Sequence, residues 1–176
     1  MPASVLGGCV LSRTLTKRLG RGRLEAPVAR EQVLLFRVGD GQYGIGMRGL
    51  WEVLSPEGVT GLPTAGYQIC TALAYRGRRL PLIRLGELFG VSAERVSPSA
   101  RVLLVQGNGQ PLGLLVDEVQ EVVEVEPHRI APMPAQATEL SPSLFRGLVG
   151  HGGRVILLID TDGLGSMTEV KGFAGN

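Results

Sequence analysis

The sequence predicts an all-β protein, and three observations support that prediction. The 26 Gly and 11 Pro residues recur at short intervals along the 176-residue chain, between apolar runs that are too short for long helices. Several of these runs alternate apolar with polar residues, as half-buried strands do. The two halves of the chain also resemble each other, which indicates two related β units. A chain of this length can bury a core without disulfides or metals.

The first half of the chain opens with a hairpin signal. An apolar run with β-branched residues covers 32–38, the residues Gly39-Asp40-Gly41 favour a tight turn, and an alternating pattern resumes over 43–47. Residues 50–54 continue as a strand or a short turn of helix. The same glycines spell a phosphate-loop pattern, but they lie between apolar strands rather than before a helix, so we interpret them as turn residues.

The pattern predicts the secondary structure of the rest of the first half less clearly. Residues 67–74 are compatible with either a helix or a strand, and a charged turn over 75–79 leads into the apolar run 80–83. A short helix followed by a polar connector is predicted over 86–100.

The second half repeats the hairpin signal. Residues 102–105 and 112–116 are apolar and flank the turn sequence Gly107-Asn108-Gly109, and residues 121–126 alternate. A Pro-rich loop follows. The apolar run 154–160 predicts a last strand that closes the chain.

The internal repeat can be stated residue by residue. At a constant offset of 69, four residues of the first half match the second: Gly44, Leu50, Glu52 and Val53 match Gly113, Val119, Glu121 and Val122. At an offset of 76, Gly77, Leu82, Ile83, Arg84 and Leu88 align with Gly153, Leu158, Ile159, Asp160 and Leu164. The change of offset implies an insertion of seven residues, most simply the Pro-rich loop, between two small β units.

Charge divides the chain unequally. Residues 1–30 carry six basic groups and one acidic group, whereas residues 31–176 carry 12 basic and 15 acidic groups. We therefore expect a basic, disordered extension over 1–30, a folded domain over 31–170 with units of about 31–100 and 101–170, and a tail over 171–176. A nucleic-acid binder concentrates positive charge where it meets phosphates, so only the extension supports nucleic-acid binding, which is the alternative function.

The sequence predicts no enzyme, no cofactor and no metal site. His128 and His151 are the only histidines, and Cys9 and Cys70 lie far apart, so no group of residues has metal-ligand spacing. A hydrolase would need a pocket around one of these histidines. No apolar run approaches the roughly 18 residues that span a bilayer, so we expect no direct membrane insertion.

Two features predict an interaction surface instead. Trp51 is the only tryptophan and belongs either to the core or to a partner surface. Arg76, Arg78 and Arg79 form the densest basic spot of the folded body. Such a charged turn is either solvated or an anchor for a partner.

A series of motifs resembles a CheW-like domain over roughly residues 31–170. The motifs are Tyr43-Gly44-Ile45, Leu50-x-Glu52-Val53, Leu62-Pro63, Arg76-Gly77-x-x-x-Pro81-Leu82-Ile83, Gly113-Leu114-Leu115-Val116-Asp117-Glu118-Val119, Phe145-x-Gly147 and Arg154-x-Ile156-Leu157-Leu158-Ile159-Asp160. The resemblance implies two intertwined five-stranded SH3-like β-barrels with short helices. It also implies a cytoplasmic, non-enzymatic adaptor that docks on the regulatory domain of a CheA-type histidine kinase and on the helical tip of a chemoreceptor.

The resemblance also implies site residues in the first unit. Leu50, Glu52 and Val53 occupy the family's segment near the receptor and kinase surfaces. Arg76 and Gly77 occupy its arginine-glycine turn. We expect Arg76 to pair with a carboxylate, within the fold or across an interface, and Gly77 to permit the turn.

In the second unit, Asp117 and Val119 fall in the corresponding signature, where a structural role and a partner contact are both open. Three features depart from the family pattern. Arg84 stands where aspartate is usual, Cys70 stands where glycine is usual, and the basic extension has no counterpart in the minimal family member.

Overall fold

A computed structural model describes residues 27–58, 70–91, 96–136 and 138–170. Its ten strands are β1 (Glu31–Val38), β2 (Gly41–Gly46), β3 (Leu50–Leu54), β4 (Cys70–Tyr75), β5 (Arg78–Arg84), β6 (Arg101–Gly107), β7 (Gln110–Val116), β8 (Glu118–Val125), β9 (Phe145–His151) and β10 (Arg154–Ile159). The helices are α1 (Leu85–Leu88) and α2 (Thr161–Val170), with 3-10 turns at Met47–Gly49, Pro56–Gly58, Pro127–Arg129 and Pro142–Leu144. The predicted fold class is confirmed.

The strands form two five-stranded sheets. Sheet 1 has the order β8-β1-β2-β10-β9, and sheet 2 has the order β3-β6-β7-β5-β4. Each sheet combines the first two strands of one half of the chain with the last three strands of the other half. The intertwined arrangement is therefore confirmed, and neither half of the sequence forms a sheet by itself. Among the residues described, the two edge strands of each sheet do not pair, so the SH3-like barrels stay open.

Parallel strand pairs mark the points where the halves cross. β10 pairs with β2, with Leu158 opposite Gly44, and β5 pairs with β7, with Leu82 opposite Gly113. A Cβ atom at Gly44 would lie 2.9 Å from the Leu158 Cδ2 atom, and one at Gly113 would lie 2.9 Å from the Leu82 Cδ1 atom. The repeat thus keeps a glycine where the exchanged strand brings a leucine against the backbone.

Within the described part of the chain, buried apolar residues form three clusters. One lies within sheet 1: Val33, Leu35, Val123, Val125, Val149, Ile156 and Leu158. One lies within sheet 2: Leu73, Leu80, Leu82, Ala100, Val102, Leu104 and Leu115. The third joins the sheets and includes Leu34, Phe36, Ile45, Leu103, Val105 and Leu114. Central strands such as β1 have both faces buried, which is why their sequences are continuous apolar runs rather than alternating ones.

The end of the chain differs from the expectation, because helix α2 follows the last strand. The carboxylate of Asp160 accepts hydrogen bonds from the backbone N–H groups of Asp162 and Gly163, at 2.9 and 3.2 Å, and so caps α2. The glycines Gly163 and Gly165 give this segment a low helix propensity. They are required by packing, because the helix lies directly against the backbone of Ser143 and Gly107.

We expect Gly163→Ala to destabilise the fold by about 1–3 kcal/mol, because the added methyl group would overlap the carbonyl oxygen of Ser143. Urea denaturation monitored by circular dichroism measures this loss. The matched control is Gly150→Ala, since no atom lies within 4 Å of a Cβ at that position. Equal stability of the two variants would contradict the proposed packing of α2.

Candidate interaction site

Glu52 connects the two edge strands of sheet 2. The Tyr75 hydroxyl, at the end of edge strand β4, donates a hydrogen bond to Glu52 Oε2 on edge strand β3. The Arg76 Nη2 atom lies 3.6 Å from the same oxygen, and its guanidinium carbon lies 5.0 Å from the centre of the Tyr75 ring. We call Glu52, Tyr75 and Arg76 the Glu52 cluster. The carboxylate beside Arg76 therefore lies within the fold.

The Arg76–Gly77 turn sets the position of the Arg76 side chain. Tyr75 pairs with Arg78, and the two residues between them have φ angles of 47° and 75°. Two consecutive left-handed residues are characteristic of the type I′ turn, whose twist matches that of the strands. A Cβ at Gly77 would meet no atom within 4 Å, so backbone conformation rather than space favours glycine there. The Arg76 side chain is 75% exposed.

The outer surface of β3 is apolar. Trp51 is 56% exposed and Val53 is 41% exposed, whereas Leu50 is partly buried against the core that joins the sheets. Leu50 pairs with Val105 and Glu52 with Leu104, so Trp51 is the extra residue of a β-bulge. This places Trp51 on the surface and answers the question that the sequence left open.

The electrostatics of the Glu52 cluster follow from its hydrogen bond. The bond to the Glu52 carboxylate raises the pKa of Tyr75 above its ordinary value, because the phenol must stay protonated to donate. The tyrosine is consequently a neutral donor at physiological pH. The cluster presents one carboxylate beside one guanidinium, next to the exposed Trp51 and Val53.

Asp117 and Val119 belong to a different part of the molecule. The Asp117 Oδ2 atom accepts a hydrogen bond of 2.6 Å from the backbone N–H of Gly39, and the Asp117 N–H donates to the Arg37 carbonyl oxygen at 3.0 Å. Asp117 thus fixes the turn between β1 and β2. Val119 packs partly buried against the shared core. Both residues lie at the β7–β8 junction and do not join the Glu52 cluster of sheet 2.

The repeat places a counterpart of the cluster in sheet 1. Glu121 corresponds to Glu52 and His151 corresponds to Tyr75. The two side chains connect the edge strands β8 and β9, with His151 Nε2 3.9 Å from Glu121 Oε1. They line an open depression of about 640 Å³ over the apolar floor of Leu35 and Ile156.

The histidines do not assemble a catalytic or metal site in the part of the chain described. His128 contacts a different glutamate, Glu126, at 3.5 Å. The depression beside His151 is lined by no serine, cysteine or lysine. Within the described ranges no group of three His, Cys, Asp or Glu side chains could hold a metal ion.

Arg84 and Arg146 form two further ion pairs. Arg84, one of the departures from the family pattern, lies 3.3 Å from Glu87, with both side chains largely buried. Arg146 forms a bidentate pair with Glu31, at 2.5 and 2.9 Å, and so joins β9 to the start of β1. The hydrogen bonds from Arg146 lower the pKa of Glu31 below its ordinary value.

This lowered pKa predicts a pH-dependent contribution to stability. An ionised Glu31 stabilises the fold above its unfolded pKa, near 4.5, and this contribution is lost as the pH falls through the lower folded pKa. At pH 7 we expect Glu31→Gln to cost about 0.5–1 kcal/mol, since the pair is partly screened by solvent. Urea denaturation between pH 7 and pH 3 measures the free energy of unfolding of the variant and of the natural chain. The difference between the two should shrink as the pH falls. If the difference stays the same at every pH, ionisation of Glu31 does not stabilise the fold.

A family model and several relatives of known name match this chain. The family model described as the CheW-like domain matches residues 32–169. The chain belongs to the CheW-like family. Two similar relatives are the chemotaxis protein CheW of Rhizobium meliloti (strain 1021), 27% identical over 74% of this chain and 84% of that protein, and that of Helicobacter pylori (strain ATCC 700392 / 26695), 27% identical over 73% and 77%.

A solved structure agrees with this assignment. The crystal structure of the scaffolding protein TtCheW from Thermoanaerobacter tengcongensis superposes with a TM-score of 0.65, at 25% identity, over 78% of this chain and 88% of that one. No helix within the described residues is long and apolar enough to cross a membrane. The nucleic-acid-binding alternative finds no support in these relatives.

Proposed function

We propose that this chain is a non-enzymatic chemotaxis adaptor that couples chemoreceptors to a CheA-type histidine kinase. Its membership of the CheW-like family supports the proposal, as do the relatives named as chemotaxis proteins and the structure titled a scaffolding protein. The proposed location is the cytoplasmic side of receptor arrays.

The observation that carries the proposal is the exposed edge strand β3. Trp51 and Val53 present apolar surface there, beside the partly exposed Glu52 and the exposed Arg76. Exposed aromatic and arginine side chains are the residue types that contribute most to protein–protein binding. Among the described residues β3 pairs only with β6, so its other edge would offer unpaired backbone groups to a partner.

The proposed binding modes follow from this surface. A receptor tip is helical, so it would present an apolar stripe with charged neighbours to Trp51, Val53 and the Glu52 cluster. The regulatory domain of the kinase would use Leu50, Gly77 and the surface around Asp117 and Val119. Weak individual contacts suffice for an adaptor, because array formation adds them together.

We expect Trp51→Ala to weaken binding to a receptor-tip peptide or to a kinase regulatory domain from the same organism by at least tenfold, the loss of about 1.4 kcal/mol expected for an aromatic anchor. Isothermal titration calorimetry measures the affinity for each partner separately. Because Trp51 is largely exposed, its truncation should leave the urea midpoint nearly unchanged.

Two variants make this test specific. Arg76→Glu, which places a second carboxylate beside Glu52, should weaken the same interaction, whereas Arg129→Ala, at an exposed 3-10 turn, should not. Full affinity of folded Trp51→Ala for both partners would show that β3 is not the docking surface. Absence of binding by the natural chain to any such partner would refute the adaptor function itself.

A further inference from the structure

The edge strand β8 of sheet 1 has an exposed outer side. It pairs with β1 on one side, and the structure shows no strand on its other side among the described residues. Val122 on this strand is 47% exposed. Natural proteins generally cover or charge such an edge, because its unpaired backbone groups would otherwise recruit another chain.

The strand is also acidic, and its neighbours neutralise it only partly. Four glutamates lie between residues 118 and 126, with no lysine or arginine among them. Arg37 lies 3.2 Å from Glu118, and Arg30 is shared between Glu124 and Glu126, at 3.2 and 3.8 Å. The side chain of Glu121 is 66% exposed and lies 3.9 Å from His151, which carries charge only when protonated. Arg154 lines the same depression.

The segment that precedes β1 has the complementary charge. Residues 1–29 contain five basic residues and one acidic residue. Arg30 directly follows them and already contacts Glu124, and Glu31 pairs with Val125 in the sheet. The segment therefore leaves the described fold beside the acidic strand. Since an extended chain covers about 3.3 Å per residue, the basic residues reach the whole length of β8, about 26 Å.

We propose that the basic residues of segment 1–29 bind in cis along the outer edge of β8 and cover it. Each ion pair at an exposed strand is weak, but attachment to the same chain gives the segment a high effective concentration at the strand. The contact continues the one that Arg30 begins. The inference concerns the resting chain and stands whether or not the proposed adaptor function is correct.

Hydrogen exchange of the full chain tests the proposal. We compare the natural protein with a variant in which Arg13, Lys17, Arg18, Arg21 and Arg23 are all replaced by Gln. At low ionic strength the outward amides of β8 should exchange about tenfold more slowly in the natural chain, as expected when several weak ion pairs act together. The difference should disappear at roughly 0.5 M salt, because salt screens exposed charges.

Matched variants on the strand make the test specific. The double substitution Glu121→Gln with Glu124→Gln should abolish the protection in the natural chain, whereas Glu139→Gln, in an exposed loop, should preserve it. Equal exchange in the natural chain and the glutamine variant at low salt would overturn the proposal. Protection that disappears when the protein is diluted would also overturn it, because the segment would then bind another copy in trans.

Discussion

The exchange of strands between the two halves of the chain is the constraint on which the rest of the structure depends. Because β10 joins β2 and β5 joins β7, each sheet is complete only with strands from both halves. The glycines opposite Leu158 and Leu82 allow these crossings, and the apolar cluster between the sheets forms on the faces that the crossings bring together. Among the described residues, the strands that this exchange leaves at the sheet edges are β3 and β4 in sheet 2 and β8 and β9 in sheet 1.

The two open barrels have different side chains at the edge positions that the repeat relates. In sheet 2 the repeat supplies a glutamate, a tyrosine and an arginine, which hold the edges together beside an exposed tryptophan. In sheet 1 the same positions hold Glu121, His151 and Gly152, and the contact across the edges is longer and lacks the arginine. Duplicated scaffolds thus keep the backbone arrangement while their edge side chains diverge, so the two ends of the molecule present different surfaces.

Much of the fold could be predicted from the sequence, because hairpin turns and apolar runs are local signals. The turns Gly39-Asp40 and Asn108-Gly109 lie where the sequence predicts them, and residues 70–75, which were undecided, form a strand. Strand exchange is not a local property: the repeat offsets are the same whichever sheet a strand joins, and only the family resemblance indicated it. Helix α2 was missed because its glycines weigh against a helix, although Asp160 before it is a recognised cap.

The candidate site could be predicted from the sequence only in part, because its contacts also join distant parts of the chain. Motif positions were sufficient to select Glu52 and Arg76, but not to show that Tyr75 connects them, because that contact joins the two edge strands of a sheet through space. Trp51 and Val53 are exposed while Leu50, Glu52 and Leu54 are partly buried, but alternation alone does not show which face of an edge strand meets solvent. Under the proposed adaptor function, binding would use exposed edge residues such as these rather than a buried catalytic group. These are the positions where tertiary context, rather than composition, decides which side chains face solvent.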